Sequence, residues 1–220
     1  MRLVTGSGGA GKTRLALRLC EEMAANGWQP LWVPHGREGE AAAAAVELGQ
    51  PAVLVVDYAE TRDGLGALLG EVAGWDGPDL RIILLARGSG EWRQRLATGT
   101  EDRVARLLGA PPVLLGPLES PGGPAELFSE ALTAFAGKLA VPRPAASLVL
   151  DGPEPVVLVV HAAALLAVLH HDSGGQEVRS SGEVLGRLLE HEARYWARSA
   201  AAQGLAWMWR SSGARSRQGA

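Results

Sequence analysis

Hydrophobic positions along the first half of the chain fall into short runs separated by longer amphipathic stretches. The runs are Leu3–Thr5, Leu31–Val33, Ala52–Val56, Leu80–Ala86 and Pro112–Leu115. The third and fourth are continuous rather than alternating, which predicts strands covered on both faces. Between the runs lie Lys12–Ala25, Glu38–Leu48, Leu65–Ala73 and Glu91–Leu108, all of helical composition. In the first of these, Leu15, Leu19 and Met23 repeat at i, i+4, i+8 and mark one face. Asn26-Gly27 supplies the C-cap. Five strands joined by helical crossovers predict an α/β fold with a parallel, doubly wound sheet.

Strand signals stop near Leu118. Ser120-Pro121-Gly122-Gly123-Pro124 reads as a loop, and Ala125–Leu139, Pro155–His171 and Gly182–Ala200 read as helices. In the last, Leu185, Leu189 and Trp196 share one face, while Val184, Leu188 and Tyr195 share another. The expected division is a core over 1–118, a small all-helical region over 119–200 and a disordered, polar tail over 201–220.

Composition changes this picture modestly. The chain has 220 residues, a formal net charge of −3 and a single cysteine, Cys20. One thiol excludes an internal disulfide framework and suits a reducing compartment. The charge balance gives no bulk signal for nucleic-acid binding. No apolar leader segment follows Met1-Arg2. The longest apolar stretch, Val156–Leu169, is shorter than the ~20 residues a membrane span needs. These features lead to the expectation of a cytoplasmic protein. The richness in Ala, Gly, Pro and Arg points to a high-GC bacterial coding bias. Only Lys12 and Lys138 are lysines, so a lysine retained in such a chain draws attention to its chemistry.

Gly6-Ser7-Gly8-Gly9-Ala10-Gly11-Lys12-Thr13 matches G-x-x-x-x-G-K-[ST] at every fixed position. A strand precedes it and an amphipathic helix follows. Glycines there let the backbone turn its N–H groups around phosphate oxygens. The helix adds its unpaired N–H groups and dipole. Gly6, Gly8, Gly9, Ala10, Gly11, Lys12, Thr13 and Arg14 are therefore the candidate nucleotide-binding residues. Lys12 would bridge the β- and γ-phosphates, and the Thr13 hydroxyl would ligate Mg²⁺. This loop predicts a three-layer α/β/α P-loop NTPase with strand order 5-1-4-3-2.

Such a loop needs an acid on a nearby strand. Val53-Leu54-Val55-Val56-Asp57 ends in one, at the strand edge where open α/β sheets bind ligands. Asp57 joins Thr13 as a candidate metal residue. The next position, which holds a second acid in many P-loop ATPases, is Tyr58, and the following acid is Glu60. Glu60 is the candidate for orienting the attacking water, the alternative being a solvent-facing helix-start glutamate. Arg87, ending the fourth strand, is the candidate γ-phosphate sensor. Lys12, Asp57, Glu60 and Arg87 thus form the candidate catalytic set.

Together these residues resemble the STAND class of signal-transduction NTPases, which includes NB-ARC proteins and bacterial regulators carrying tetratricopeptide repeats. The resemblance spans roughly Leu3 to Trp196. Its more specific elements are the Asp57 strand, Leu84-Leu85-Ala86-Arg87, and Leu115-Gly116-Pro117-Leu118 followed by Glu126-Leu127-Phe128. Gly152-Pro153-Glu154-Pro155 looks like the family's G-x-P segment, which implies that Pro155, and less directly Pro153, packs near adenine. The stretch Leu188–Trp196 resembles the connector to a winged-helix region. The resemblance implies ADP and ATP as ligands with Mg²⁺, slow hydrolysis used as a timer, and self-association or protein partners for the ATP form. The chain departs from the family pattern in starting at the P-loop strand and in showing no complete winged helix or repeat array. That leads to the expectation of a fragment, a truncated gene or a stand-alone core.

Two other classes stay open on the sequence. One is a nucleotide-binding interaction scaffold without catalysis, favoured by Tyr58 after Asp57. The other is a small-molecule kinase, for which Arg93, Arg95, Arg103 and Arg106 would form a lid. Trp28, Trp32, Trp75 and Trp92 read as packing residues, while Trp196, Trp207 and Trp209 read as surface for a missing neighbour. His170-His171-Asp172 reads as a helix-end cap rather than a metal site. Cys20 reads as a small buried hydrophobe.

Overall fold

A computed structural model describes residues 1–99, 102–116, 122–149, 155–171, 182–190 and 193. The chain divides into two compact units, Met1–Pro117 and Leu118–Ala220.

The first unit holds five strands, β1 (Arg2–Thr5), β2 (Gln29–Trp32), β3 (Ala52–Val56), β4 (Leu80–Ala86) and β5 (Val113–Leu114). All pair in parallel, in the order β2-β3-β4-β1-β5. This is the predicted 5-1-4-3-2 arrangement of a P-loop NTPase sheet. Helices α1 (Lys12–Ala25), α2 (Glu38–Leu48), α3 (Leu65–Ala73), α4 (Glu91–Gly99) and α5 (Asp102–Leu108) make the crossovers. A single 3-10 turn, Ala59–Thr61, follows β3.

The continuous apolar runs are explained by the two faces. Successive side chains of a strand point to opposite sides. Leu54, Val56, Ile82, Leu84 and Leu3 pack one way, with residues of α2, α3 and α5. Val53, Val55, Ile83, Leu85 and Val4 pack the other way, with Ala16 and Cys20 of α1. Val53 to Val56 are all fully buried. Each such side chain contributes about 1.5–3 kcal/mol relative to exposure.

Three local expectations are corrected. The inward face of α1 is Ala16 and Cys20 with Met23, whereas Leu15 and Leu19 are 45% and 38% exposed. Small residues let the helix lie close to the sheet, a preference that hydrophobic spacing alone cannot rank. The expected helix Glu91–Leu108 is two helices, α4 ending at Gly99 and α5 starting at Asp102. Glycine is a weak helix former, and the Thr98 hydroxyl donates back to the carbonyls of Gln94 and Arg95. The last strand shrinks to Val113–Leu114.

In the second unit, α6 (Gly123–Leu139) starts within the expected loop, with Pro124 in its first turn. It packs on α7 (Val157–Leu169) through Phe128, Leu132 and Ala136 against Val159, Val160 and Ala163. The Phe135 ring meets His161 edge-on, with centroids 6.3 Å apart. Residues 182–190 are helical. Val184 is buried and Leu188 packed from one predicted face, and Leu185 is packed from the other, whose Leu189 is 66% exposed. No helix among the described residues is long and apolar enough to cross a membrane. Pro153, Asp172, Trp196, Trp207, Trp209 and the tail lie outside the described residues.

Candidate functional site

Strand β1 ends at Thr5, and the chain turns through Gly6–Gly11 into α1. Of the loop glycines, Gly9 (φ 81°) and Gly11 (φ 94°) take left-handed backbone. Gly11 is also the residue before α1, where it accepts the Leu15 amide at 2.9 Å. Only glycine adopts such a φ without cost. Gly6 is glycine for a different reason. A Cβ there would lie 2.9 Å from the Leu115 carbonyl oxygen, so the loop's first residue presses against the end of β5. The first turn of α1 carries no acidic residue and no side-chain cap. Its leading N–H groups have no intrahelical acceptor and suit an anion.

Lys12 folds its ammonium back over the loop, donating to the carbonyls of Gly6 at 2.8 Å and Ser7 at 3.0 Å. The Thr13 hydroxyl donates to Asp57 Oδ2 at 2.9 Å. Asp57 Oδ1 accepts the Tyr58 amide at 2.9 Å, so both carboxylate oxygens are held. Tyr58 adopts a φ of 55° in this arrangement, and the residue is 56% exposed.

Strand register explains why these groups converge. Val56 pairs with Leu84, and Thr5 pairs with Ala86. Asp57 and Arg87 therefore both emerge at the C-terminal edge beside Gly6. Arg87 is exposed, and its amide donates to Glu60 Oε1 at 3.1 Å. Glu60 Oε2 is buried without a hydrogen-bond partner. Glu60 is half-buried in the first turn of the 3-10 segment, and its side chain reaches from the turn after β3 to the end of β4. Arg14 is exposed on α1. Pro155 lies in the second unit, half-buried, two residues before α7.

Sequence reasoning missed a buried ion pair behind Asp57. Arg62 Nη1 donates to Glu38 Oε1 at 2.9 Å, with side chains only 6% and 4% exposed. The same guanidinium donates to the Asp57 carbonyl at 2.9 Å and the Val33 carbonyl at 3.1 Å. Glu38 Oε1 also accepts the Gly36 amide at 3.2 Å. Burial pushes the Glu38 carboxyl up. Hydrogen bonds from its own backbone, Arg62 and Gly36 outweigh that, leaving it below the ordinary glutamate value. The sequence signal was two opposite charges flanking buried strands, too general to single out.

The donor set suits Mg²⁺. A hydroxyl and a carboxylate oxygen, already in contact, are the hard oxygen donors this ion prefers, with phosphates and water completing its shell. Thr13 and Asp57 would hold it. Among the described residues there is no cluster of three or more His, Cys, Asp or Glu able to hold a metal alone.

Other candidate groups have structural partners. Arg93 Nη2 donates to the carbonyls of Leu108 and, at 2.8 Å, Ala110. It ties α4 to the end of α5. His171 Nδ1 lies 3.1 Å from the Val168 carbonyl, at the end of α7.

No protein-family model matches the chain, and no curated protein matches it in sequence. Among solved structures, it is similar to Thermotoga maritima RuvB. The Holliday junction branch migration motor is 16% identical, with a TM-score of 0.45, over 86% of this chain and 60% of that one. A point mutant of that motor gives the same identity and coverage with a TM-score of 0.46. This chain thus spans about 60% of the length of the structures it matches. Overlaps this shallow carry no role across to this chain.

Proposed function

We propose that this chain is an ATP-binding, Mg²⁺-dependent nucleotide switch domain with slow or conditional hydrolysis and a signalling or transcription-regulatory output. The observation that carries the nucleotide site is the 2.9 Å Thr13–Asp57 hydrogen bond beside a glycine loop closed by Lys12. The signalling output rests on the STAND resemblance alone.

Each residue's part follows from its chemistry. The loop N–H groups and the first turn of α1 receive the phosphates. Lys12 exchanges its two loop carbonyls for β- and γ-phosphate oxygens, trading neutral acceptors for charged ones. Thr13 and Asp57 would hold magnesium, which would supply positive charge to offset that of the phosphates. Arg87 reaches the γ-phosphate from the end of β4. Glu60 orients the attacking water once its carboxylate, whose Oε2 is buried and unpartnered and whose Oε1 holds the Arg87 amide, turns toward the phosphates. That shared contact favours slow turnover, because moving Glu60 toward water disturbs the segment carrying Arg87.

A second reading, a non-catalytic nucleotide-binding scaffold, is favoured by Tyr58 directly after Asp57. The deciding experiment is nucleotide content of the purified protein, followed by phosphate release. Co-purified ADP with magnesium and measurable turnover support the switch. Bound nucleotide with no turnover selects the scaffold. No nucleotide bound at millimolar ATP sinks both.

A further inference from the structure

The Arg62–Glu38 pair lies outside the loop that would touch nucleotide, yet it touches the main chain of Asp57. We infer that Arg62 is a positioning residue for Asp57, holding the end of β3 so that the carboxylate meets Thr13 and the metal. This inference rests on the nucleotide-site reading above.

The need for such a residue follows from where Asp57 sits. The β3–β4 register ends at Val56, and the β2–β3 register at Val55. Asp57 is therefore the first residue beyond the ladder, and Tyr58 then bends into left-handed backbone. A strand's first unladdered residue has no sheet partner to set its pose. Arg62 supplies one, donating through Nε to the Asp57 carbonyl at 2.9 Å. The other end of the fork holds the Val33 carbonyl, at the end of β2. One planar group thus locks two neighbouring strand ends at a fixed spacing.

The residue type is specific to the task. Guanidinium offers five N–H donors in a rigid plane, whereas a lysine ammonium is a single flexible point. Three acceptors on three segments are met at once: Asp57, Val33 and Glu38. Glu38 matters for charge. It neutralises the buried Arg62, so the cation behind Asp57 does not compete with a metal for that carboxylate. Gly64 makes room for the pair, since a Cβ there would lie 2.9 Å from both Cβ and Oε2 of Glu38. A buried ion pair is no efficient source of stability, because apolar replacements often serve as well. Its geometry on Asp57 gives it a use that stability does not.

Two variants test this. Arg62→Lys keeps the charge beside Glu38 but loses the fork. The paired variant Arg62→Met with Glu38→Leu removes both charges and leaves neither unpaired. Affinity for a fluorescent ATP analogue is measured with excess Mg²⁺ and again in EDTA. Outer partners of metal ligands typically contribute about 10- to 100-fold to metal affinity. The ratio of the two affinities should therefore fall at least about tenfold, with the EDTA value nearly unchanged. In the metal-free protein, hydrogen exchange at the Tyr58 amide should quicken, since its acceptor is the Asp57 carboxylate. A wild-type ratio in a folded variant overturns the inference. So does an equal loss in both conditions, which marks a general scaffold. If the paired variant does not fold, Arg62→Lys decides alone. If wild type binds the analogue in neither condition, the nucleotide-site reading falls and takes this inference with it. Wild-type Mg²⁺ enhancement with unchanged variants sinks this inference only.

Discussion

Glu60 Oε1 accepts the main-chain amide of Arg87 at 3.1 Å, joining the turn after β3 to the end of β4. The other carboxylate oxygen is buried and unpartnered. One residue therefore links the strand that ends in the candidate metal acid to the strand that ends in the candidate sensor. Glu60→Gln keeps an acceptor for the Arg87 amide but removes the negative charge. Under the switch reading, ATP affinity should stay within about threefold while turnover falls roughly 100-fold or more, the usual weight of a general base. Binding by calorimetry and phosphate release under saturating ATP separate the two effects. If Glu60→Ala changes neither quantity, Glu60 has no catalytic part.

Lys12 commits its ammonium to two loop carbonyls, interactions that phosphate oxygens would better. Lys12→Ala should lower ATP affinity at least about tenfold, since hydrogen bonds to charged groups contribute about 1.5–3 kcal/mol. Asp57→Asn should act differently, weakening binding mainly when Mg²⁺ is present. Titrations with and without EDTA check both. Equal binding by Lys12→Ala and wild type would remove the phosphate role from the loop.

Tyr58 holds a φ of 55° with an exposed side chain. Left-handed backbone costs a side-chain-bearing residue roughly 1–2 kcal/mol, and glycine avoids that cost. Part of the gain is offset because glycine loosens the unfolded chain. Tyr58→Gly should still exceed Tyr58→Val in stability by about 1 kcal/mol or more, the β-branched residue being the worse fit. Urea unfolding of the two variants side by side gives the difference. Equal midpoints and slopes would show the turn to be unstrained.

The depressed Glu38 carboxyl makes acid stability predictable in sign. A group that binds its proton less readily folded than unfolded stabilises the fold above its unfolded value, about 4.3 for glutamate. That contribution is complete near neutrality and is lost as pH falls through the lower folded value. The wild-type urea midpoint should drop on going from about pH 6 to about pH 3, an interval that spans the ordinary unfolded glutamate value. The paired Arg62→Met, Glu38→Leu variant should lose less over the same interval. A parallel loss in both proteins would contradict the assignment.

How far the sequence could be read depended on the range of the interaction. Continuous apolar runs announced β3 and β4, because a strand buried on both faces must be apolar at every position. The spacing of Gly6, Gly11, Lys12 and Thr13 announced the loop, because its chemistry is local to one short segment. The alternation of runs and helices announced a parallel sheet with right-handed crossovers, and the strand order came with the P-loop class that the glycine loop identifies. Less was legible in α1, where Leu15 and Leu19 matched a helical face as well as Ala16 and Cys20 did. Which face turned inward was decided by how closely the sheet approached.

The pairing of Arg62 with Glu38, 24 residues apart, left no periodic trace. Neither did the reach of Glu60 to Arg87, 27 residues away. By itself the sequence determined the alternation of strands and helices, the glycine loop and the identity of the acid that ends β3. Only the tertiary structure decided what stands behind that acid and which main-chain amide Glu60 serves. Backbone conformation and hydrophobic period are written locally in a chain. The partners of a buried charge are chosen by whatever the folded sheet brings within about 3 Å.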